Sequence, residues 1–252
     1  NYAIVYAPGT LTINKAVLTV TPNAQSQVYN GNTLNNAVYS NSVSNYSVSG
    51  YQNSDNASTA PVVLTGAMSF TPANLANTTV TNVDTYTFGA GNLAGTSTNS
   101  NYQVSFANPS NNAYTITKAQ LSLSATKVYD GNPSLTGYVV FGGLIGQQTL
   151  NYSGATASGT NAGLTGPAAL YVNAISIADG SNGGLANNYQ LPQLTAASIG
   201  NNLVTVTPKT VSLSASKTYD SNTSLTGSQV TINTGIAGET LNYTNATASD
   251  VN

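Results

Sequence analysis

The chain has 252 residues, 40% of them apolar, which allows two or more domains of ordinary size. It has five lysines, no arginine and a formal net charge of −2, so it lacks the basic surface that binds nucleic acid phosphates or anionic lipid. It also has no cysteine and no histidine, which excludes disulfides, thiolate metal sites and imidazole bases, while its 16 tyrosines and many β-branched residues predict a folded, strand-rich protein.

The first segment in chain order, residues 1–14, has the pattern of the last strands of a repeat. The stretch NYAIVYAPGTLTINK at residues 1–15 matches two later stretches, at residues 101–118 and 188–209. All three start with Asn-Tyr and run through alternating apolar residues toward a lysine. We therefore expect residues 1–14 to be the closing strands of a preceding repeat.

The first full unit spans residues 15–116. Its phrase QVYNGNTL places Tyr29, Asn30 and Gly31 at the end of a predicted strand. This unit also contains three tyrosines that do not recur in the other units: Tyr39, Tyr46 and Tyr51. Tyrosine rings stack well on sugars and on protein surfaces, so these three are a candidate binding surface. Ordinary strand tyrosines are the alternative.

The second full unit, residues 117–207, and a truncated third unit, residues 208–252, are near copies of each other. ITKAQLSLSATKVYDGNPSLTG, from residue 116, and VTPKTVSLSASKTYDSNTSLTG, from residue 206, are identical at 13 of 22 positions. The match resumes with TLNYSGATASG, from residue 149, against TLNYTNATASD, from residue 240. The chain is therefore a tandem array.

All three units share a short phrase that predicts a corner between a strand and a turn. It reads Tyr129-Asp130-Gly131 in the second unit, Tyr219-Asp220 in the third and Tyr29-Asn30-Gly31 in the first. An aspartate or asparagine here can accept a hydrogen bond from the amide two residues on, and the tyrosine can close the strand with a buried ring. Because serine replaces Gly131 in the third unit, we predict a type I turn without a positive φ.

Apolar residues alternate with Ser, Thr and Asn in each unit, and Gly, Asn and Pro clusters recur roughly every ten residues, which indicates an all-β fold. The corner tyrosines Tyr29 and Tyr129 are 100 residues apart, and Tyr129 and Tyr219 are 90 apart. Such units are too long for the rungs of a solenoid. We predict tandem β-sandwich (Ig-like) domains arranged as an extended rod. A parallel β-helix, which the composition also suits, is the alternative.

The residues of the second and third units resemble a known family. ITKAQLSLSATKVYDGNPSLTG, GLIGQQTLNYSG and LANNYQL resemble the YDG repeat domain of large secreted bacterial adhesins, and NYAIVYAPGTLTINKAVLTV is similar to the related MBG repeat. In the first unit Asn30 stands where the motif has aspartate. The resemblance implies a filamentous haemagglutinin-like exoprotein exported by two-partner secretion. It also implies an extracellular or bacterial cell-surface location, associated with the outer membrane.

Acidic residues are too sparse for a catalytic or metal site. Residues 85–129 and 131–178 contain no acid, whereas glycosidase chemistry needs two carboxyl groups within about 5–10 Å. Calcium prefers several carboxylates, and DGSNGG at residues 179–184 offers one. Asp130 and Asp220 hold equivalent positions in two copies, which favours an architectural role. We expect no enzyme activity, no metal and no cofactor.

Near-identical units predict a mechanical function: a structural stalk or fibre-forming segment that extends a binding head, with neighbouring repeats of the same chain as its partners. One alternative is a carbohydrate- or protein-binding adhesive module, with host or matrix glycans or proteins as partners. Another is an extracellular filament subunit that self-associates through the edge strands of its incomplete terminal units. We expect no nucleic acid partner and no membrane insertion.

Overall fold

The computed structural model describes residues 1–32, 42–66, 69–71, 82–89, 92–107 and 113–250. Across these ranges the chain forms β-strands and short 3-10 turns, with no α-helix, which confirms the predicted all-β class. The 3-10 turns are Val43–Asn45, Gly166–Ala168, Ala186–Asn188, Ala196–Ser198 and Gly227–Gln229. Two compact units are present, residues 1–119 and residues 120–252.

In the part of the chain that the structure describes, none of the helical turns has the length and apolar character needed to cross a membrane.

The described residues of the first compact unit form three sheets. Its strands are β1 (Ala16–Pro22), β2 (Gln25–Val28), β3 (Tyr46–Ser49), β4 (Val62–Thr65), β5 (Ser69–Thr71), β6 (Asp84–Gly89), β7 (Ala94–Ser97), β8 (Tyr102–Phe106) and β9 (Ala113–Thr117). The sheets have the strand orders β3-β1-β8, β2-β9-β6-β5 and β4-β7. Two of the pairings are parallel, β1 with β8 and β2 with β9.

The strands that follow repeat part of this plan. They are β10 (Ala119–Gln120), β11 (Ser122–Val128), β12 (Val139–Gly142), β13 (Leu150–Ala157), β14 (Val172–Asp179), β15 (Tyr189–Gln190), β16 (Asn202–Thr207), β17 (Ser212–Ala215), β18 (Ser224–Leu225), β19 (Val230–Asn233) and β20 (Ala246–Thr247). Their sheets are β12-β11-β16, β13-β14, β10-β15, β17-β19 and β18-β20. The pairing of β11 with β16 is parallel.

Strand β11 shows why this sequence folds as it does. Successive side chains of a strand point to opposite faces, so its alternating residues are buried and exposed in turn, with Leu123, Ala125 and Lys127 inward. The core around it consists of Leu123, Ala125, Leu135, Ala155, Ala157, Leu170, Val172, Val204 and Val206. The residues facing outward are mainly serine and threonine, which suit an exposed strand face.

The parallel ladders have the same register in both full repeats. Gln25 lies opposite Tyr114, and Ala125, which follows Gln25 by one repeat length, lies opposite Val204. In each repeat an early strand therefore pairs with the last strand, and the apolar residues of the last strand enter the core. Tyr114, Ile116, Val204 and Val206 are all buried.

A buried asparagine joins the last strand to its neighbour in the second repeat. Asn202 accepts a hydrogen bond from Val172 N–H through Oδ1 (2.9 Å) and donates to Val172 O through Nδ2 (2.9 Å). Its side chain thus pairs with the backbone as another strand would. This pairing ties β14 to β16.

Candidate functional site

The corner residues lie where the parallel ladder ends. Tyr129 N–H donates to Thr207 O (2.8 Å), one residue beyond β11, and Tyr29 N–H donates to Thr117 O (2.8 Å) in the same way. The corner is therefore fixed to the end of the last strand in both full repeats. After Thr207 the chain continues into residues 208–252.

Two consecutive Asx turns shape the corner. In the second repeat Asp130 Oδ1 accepts from Asn132 N–H (3.0 Å), and Asn132 Oδ1 accepts from Ser134 N–H (2.8 Å). The third repeat has the same two bonds, at Asp220 (3.1 Å) and Asn222 (2.8 Å). Asn30 accepts from Asn32 N–H (3.0 Å) in the first. A side-chain oxygen at this position therefore builds the turn whether or not it is charged.

The buried Lys127 binds the corner through its ammonium group. The Lys127 ammonium lies 2.8 Å from Asp130 Oδ1 and donates to Asn132 O (2.8 Å) and Ser134 O (3.0 Å). These partners match its three N–H groups. The ammonium also lies 5.5 Å from the centre of the Tyr138 ring. The hydrogen bond from Lys127, together with that from Asn132, holds the pKa of Asp130 below its ordinary value.

The third repeat reproduces this arrangement, and the first replaces it. Lys217 lies 2.7 Å from Asp220 and donates to Asn222 O (2.7 Å) and Ser224 O (2.9 Å), which lowers the pKa of Asp220. In the first repeat the equivalent positions carry Gln27 and Asn30. The first repeat therefore lacks both the lysine and the aspartate at these positions.

The turn differs from the sequence prediction in its backbone. Gly31 and Gly131 have φ of 75° and 73°, and Ser221 has φ of 61°. The prediction of a type I turn without positive φ was therefore wrong, since all three repeats adopt the left-handed conformation at this position. Serine adopts this conformation at an energetic cost that glycine avoids.

The three corner tyrosines differ in burial. Tyr29 is buried, Tyr129 is partly buried and Tyr219 is 72% exposed. The expectation of a buried ring therefore holds for Tyr29, is met in part by Tyr129 and is wrong for Tyr219. The Tyr219 hydroxyl accepts a hydrogen bond from Ser221 Oγ (3.0 Å).

Tyr129 contacts the third repeat directly. Its hydroxyl donates to Glu239 Oε1 (2.6 Å), in the loop after β19, and this bond raises the pKa of Tyr129. A Cβ placed on Gly131 would lie 3.2 Å from the same carboxylate oxygen. Lys209 Nζ donates to Gly235 O (3.2 Å) in that loop. The Tyr129–Glu239 hydrogen bond thereby joins the corner of the second repeat to a loop of the third, whereas the Lys209 bond lies within the third repeat.

A cavity of about 320 Å³ lies beside this contact. Its lining includes Tyr129, Lys209, Val211, Ile236, Glu239 and Leu241. The lining combines an apolar wall with one carboxylate and one ammonium group. No set of three acidic residues that could hold a metal ion occurs among the described residues.

Equivalent loops of the full repeats bind a tyrosine of the Asn-Tyr phrase. Tyr102 donates to Asp55 Oδ2 (2.6 Å) and accepts from Gln52 N–H (2.9 Å). Tyr189 donates to Gln148 Oε1 and accepts from Ile145 N–H (3.1 Å). Asp55 and Gln148, which accept the hydrogen bonds of these tyrosines, also donate their own backbone N–H groups three residues back. Asp55 N–H donates to Gln52 O, and Gln148 N–H donates to Ile145 O.

Glu239 occupies the acceptor position of this tyrosine site in the third repeat. It precedes Thr240 as Gln148 precedes Thr149, and Glu239 N–H donates to Ile236 O (3.3 Å). No role for Glu239 was predicted from the sequence. The signal that could have found its role was the alignment of the TLNY phrases, which places an oxygen-bearing side chain at this position in both repeats.

Of the candidate binding surface of the first unit, the structure describes Tyr46 and Tyr51. Tyr46 is buried within β3, so its ring is not available for stacking on a sugar. Tyr51 is partly buried and packs its ring edge against Tyr102, with centroids 6.3 Å apart. Tyr39 lies outside the described residues. The expectation of an exposed platform is therefore wrong for Tyr46.

No family model matches the chain, and neither does any curated protein or any solved structure.

Proposed function

We propose that the chain is a structural stalk or fibre-forming segment of a secreted bacterial adhesin, located outside the cell or on the bacterial surface. The observation that carries this proposal is the parallel pairing of an early strand with the last strand in each full repeat, β2 with β9 and β11 with β16. In a parallel pair the start of one strand and the end of the other lie at opposite ends of the ladder. Each repeat therefore adds its own length to an array of β-sandwich domains.

The same ladder suits a segment that bears tension. A pull on the chain before β11 and after β16 acts along the strands in opposite directions. The register from Leu123↔Asn202 to Val128↔Thr207 then places the whole ladder in shear, so its hydrogen bonds are loaded together rather than one after another. A stalk under flow experiences this kind of load.

The contact between Tyr129 and Glu239 supports a stiff joint between repeats. The backbone of each residue is anchored locally, that of Tyr129 by its bond to Thr207 and that of Glu239 by its bond to Ile236. The joint therefore has an anchored donor and an anchored acceptor. The resemblance of residues 116–252 to YDG repeats supports the same role.

Small-angle X-ray scattering of the 252-residue chain, with and without a calcium chelator, tests the proposal. A compact domain of this length has a radius of gyration of about 18 Å. We expect a clearly larger value and a rod-like profile, unchanged by the chelator, together with high resistance to unfolding when single molecules are pulled by their ends. A radius near the compact value would contradict the stalk and favour a folded adhesive module.

A further inference from the structure

The sequence contains two Asn-Gly pairs, and the fold holds their asparagine side chains in different ways. The pairs are Asn30–Gly31 and Asn182–Gly183. In an Asn-Gly pair the backbone nitrogen of the glycine can attack the side-chain carbonyl carbon with little hindrance, because glycine has no Cβ. The attack closes a five-membered succinimide ring and releases ammonia. The rate at each pair therefore depends on how the fold orients the asparagine.

The fold holds Asn30 through its carbonyl oxygen. Asn30 Oδ1 accepts from Asn32 N–H (3.0 Å), which keeps the side-chain carbonyl carbon and the Gly31 nitrogen within one hydrogen-bonded ring. An N–H group that donates to a carbonyl also stabilises the negative charge that develops on the oxygen when the carbon is attacked. Asn30 is exposed, so water can reach the product of the attack. The Asx turn therefore both orients and polarises the reacting carbonyl.

The fold holds Asn182 through its amide nitrogen instead. Asn182 Nδ2 donates to Gln147 O (2.9 Å), and the residue itself has φ of 56°. Its loop is closed by bonds from Gly180 N–H to Gly184 O (2.8 Å) and from Gly184 N–H to Ser181 O (3.0 Å). Ring closure at Asn182 must break the bond to Gln147 and turn the side chain within this closed loop. The second Asn-Gly pair is therefore held in an arrangement that opposes the reaction.

We propose that Asn30 is a site of spontaneous deamidation that the Asx turn of the first repeat promotes, and that Asn182 is protected from the same reaction. The Gly31 nitrogen attacks Asn30 Cγ and gives its proton to solvent. The new N–Cγ bond forms as the Cγ–Nδ2 bond breaks, and the nitrogen leaves as ammonia after taking a proton from water. Water then opens the succinimide at either carbonyl carbon, which gives aspartate or isoaspartate at position 30. The reaction needs only water, and it does not depend on the mechanical role proposed above.

The two products have different consequences for the corner. The aspartate product gives the first repeat the residue that the second has at Asp130, and it keeps a side-chain oxygen for Asn32 N–H. The isoaspartate product adds one carbon to the main chain, so it disrupts the turn. Asp130 itself is protected, because the same ring closure needs a neutral carboxyl group and Lys127 Nζ, 2.8 Å away, keeps this one ionised. Deamidation therefore changes the corner of the first repeat and leaves that of the second unchanged.

Peptide mapping of the whole chain by mass spectrometry tests the proposal. Two samples are held in the same mildly alkaline buffer, one folded and one unfolded in guanidinium chloride, and deamidation at Asn30 and Asn182 is followed in both. Because both are Asn-Gly pairs, the unfolded sample gives the ratio of their rates without the fold. We expect folding to raise this ratio about tenfold in favour of Asn30, with aspartate and isoaspartate both formed. An unchanged ratio, no reaction at Asn30 in the folded chain, or aspartate as the sole product would overturn the proposal.

Transfer of the site to the second repeat tests the role of the turn. The corner at Asp130 has the same bond to its second neighbour (3.0 Å), and Gly131 has φ of 73°, close to the 75° of Gly31. K127Q/D130N places an Asn-Gly pair in this turn, and we expect position 130 to deamidate at a rate similar to that of Asn30. K127Q/D130N/G131S is the matched control and should react several-fold more slowly, because serine adds a Cβ beside the attacking nitrogen. A position 130 that stays unreacted, or that reacts equally in both variants, would refute the role of the turn.

Discussion

Lys127 Nζ lies 2.8 Å from Asp130 Oδ1, and the lysine side chain is 2% exposed while that of the aspartate is 47% exposed. The pair therefore places one charge inside the fold and its counter-charge at the surface. Lys217 and Asp220 repeat this arrangement, and Gln27 and Asn30 replace it with two neutral side chains. Because both members change together, the corner tolerates either a charged pair or a neutral pair.

The first prediction concerns acid. The folded protein lowers the pKa of Asp130 and Asp220 below their ordinary value of 3.8. A lowered pKa adds stability above that value, and this stability is lost as the pH falls through the folded-state pKa. We expect the variant K127Q/D130N, which copies the first repeat, to lose less stability below pH 3.8 than the natural chain. Urea unfolding followed across that pH range measures the difference.

The reciprocal variant is the control. Q27K/N30D installs the charged pair in the first repeat, where we expect it to introduce the acid sensitivity that K127Q/D130N removes. Parallel pH profiles for all three proteins would show that the pair does not carry the acid response.

The second prediction concerns the left-handed position of the turn. Ser221→Gly is expected to stabilise the third repeat by about 1 kcal/mol, because glycine adopts positive φ without the steric penalty of a Cβ. Gly131→Ser is the matched reverse change and should destabilise by at least as much, since its Cβ also approaches Glu239 Oε1. Urea midpoints of the two variants measure both effects. A shift of the same sign in both would show that φ does not control stability here.

The third prediction concerns the buried Tyr189. Removing its hydroxyl in Tyr189→Phe leaves Ile145 N–H and Gln148 without the bonds they make to it. We expect a loss of about 1–3 kcal/mol in the free energy of unfolding, and about 3–5 kcal/mol for Tyr189→Ala, which also leaves a cavity. Denaturant unfolding measures both. Tyr6→Phe, at an exposed position, is the control and should have no effect; an equal loss there would contradict the assignment.

The fourth prediction concerns alkali and the joint. Glu239 raises the pKa of Tyr129 above its ordinary value of 10.0. The contact therefore stabilises the joint below that value and is lost as the pH rises through the raised pKa. In Glu239→Gln the titration of Tyr129 should return toward 10.0, as followed by tyrosinate absorbance. Tyr129→Phe identifies the signal by deleting it. An unchanged titration in Glu239→Gln would show that the contact does not form in solution.

The sequence predicted the features that depend on local patterns. Alternation along residues such as Leu123 and Ala125 predicted strands, and the repeated Tyr-Asp phrase predicted a corner closed by an Asx turn. The positive φ of Ser221 was missed because serine rarely adopts that conformation and therefore gives no sequence signal for it. For Tyr46 the sequence left a binding surface and an ordinary strand tyrosine both open, because a tyrosine has the same pattern in a core and on a surface; the structure buries it.

The contact between Tyr129 and Glu239 could not be predicted from local sequence patterns, because 110 positions separate the two residues. Such pairs follow from how strands are ordered in the sheets, which alternation alone does not determine. Only the comparison of one repeat with another could have indicated that Gln148 and Glu239 hold equivalent positions. Internal repetition is therefore the most informative property of this sequence.

The parallel ladder also determines the order in which a repeat can fold. Lys127 and Thr207, which meet at the end of the β11–β16 ladder, are separated by 80 positions. Contacts this distant in sequence form slowly, because the chain loses the entropy of closing the loop before the hydrogen bonds of the ladder form. Strand β11, in the middle of its sheet, therefore completes its pairing only after β16, the last strand of its repeat, becomes available. A chain that emerges with its N-terminus first gains folded structure in whole repeats, each completed when its final strand becomes available.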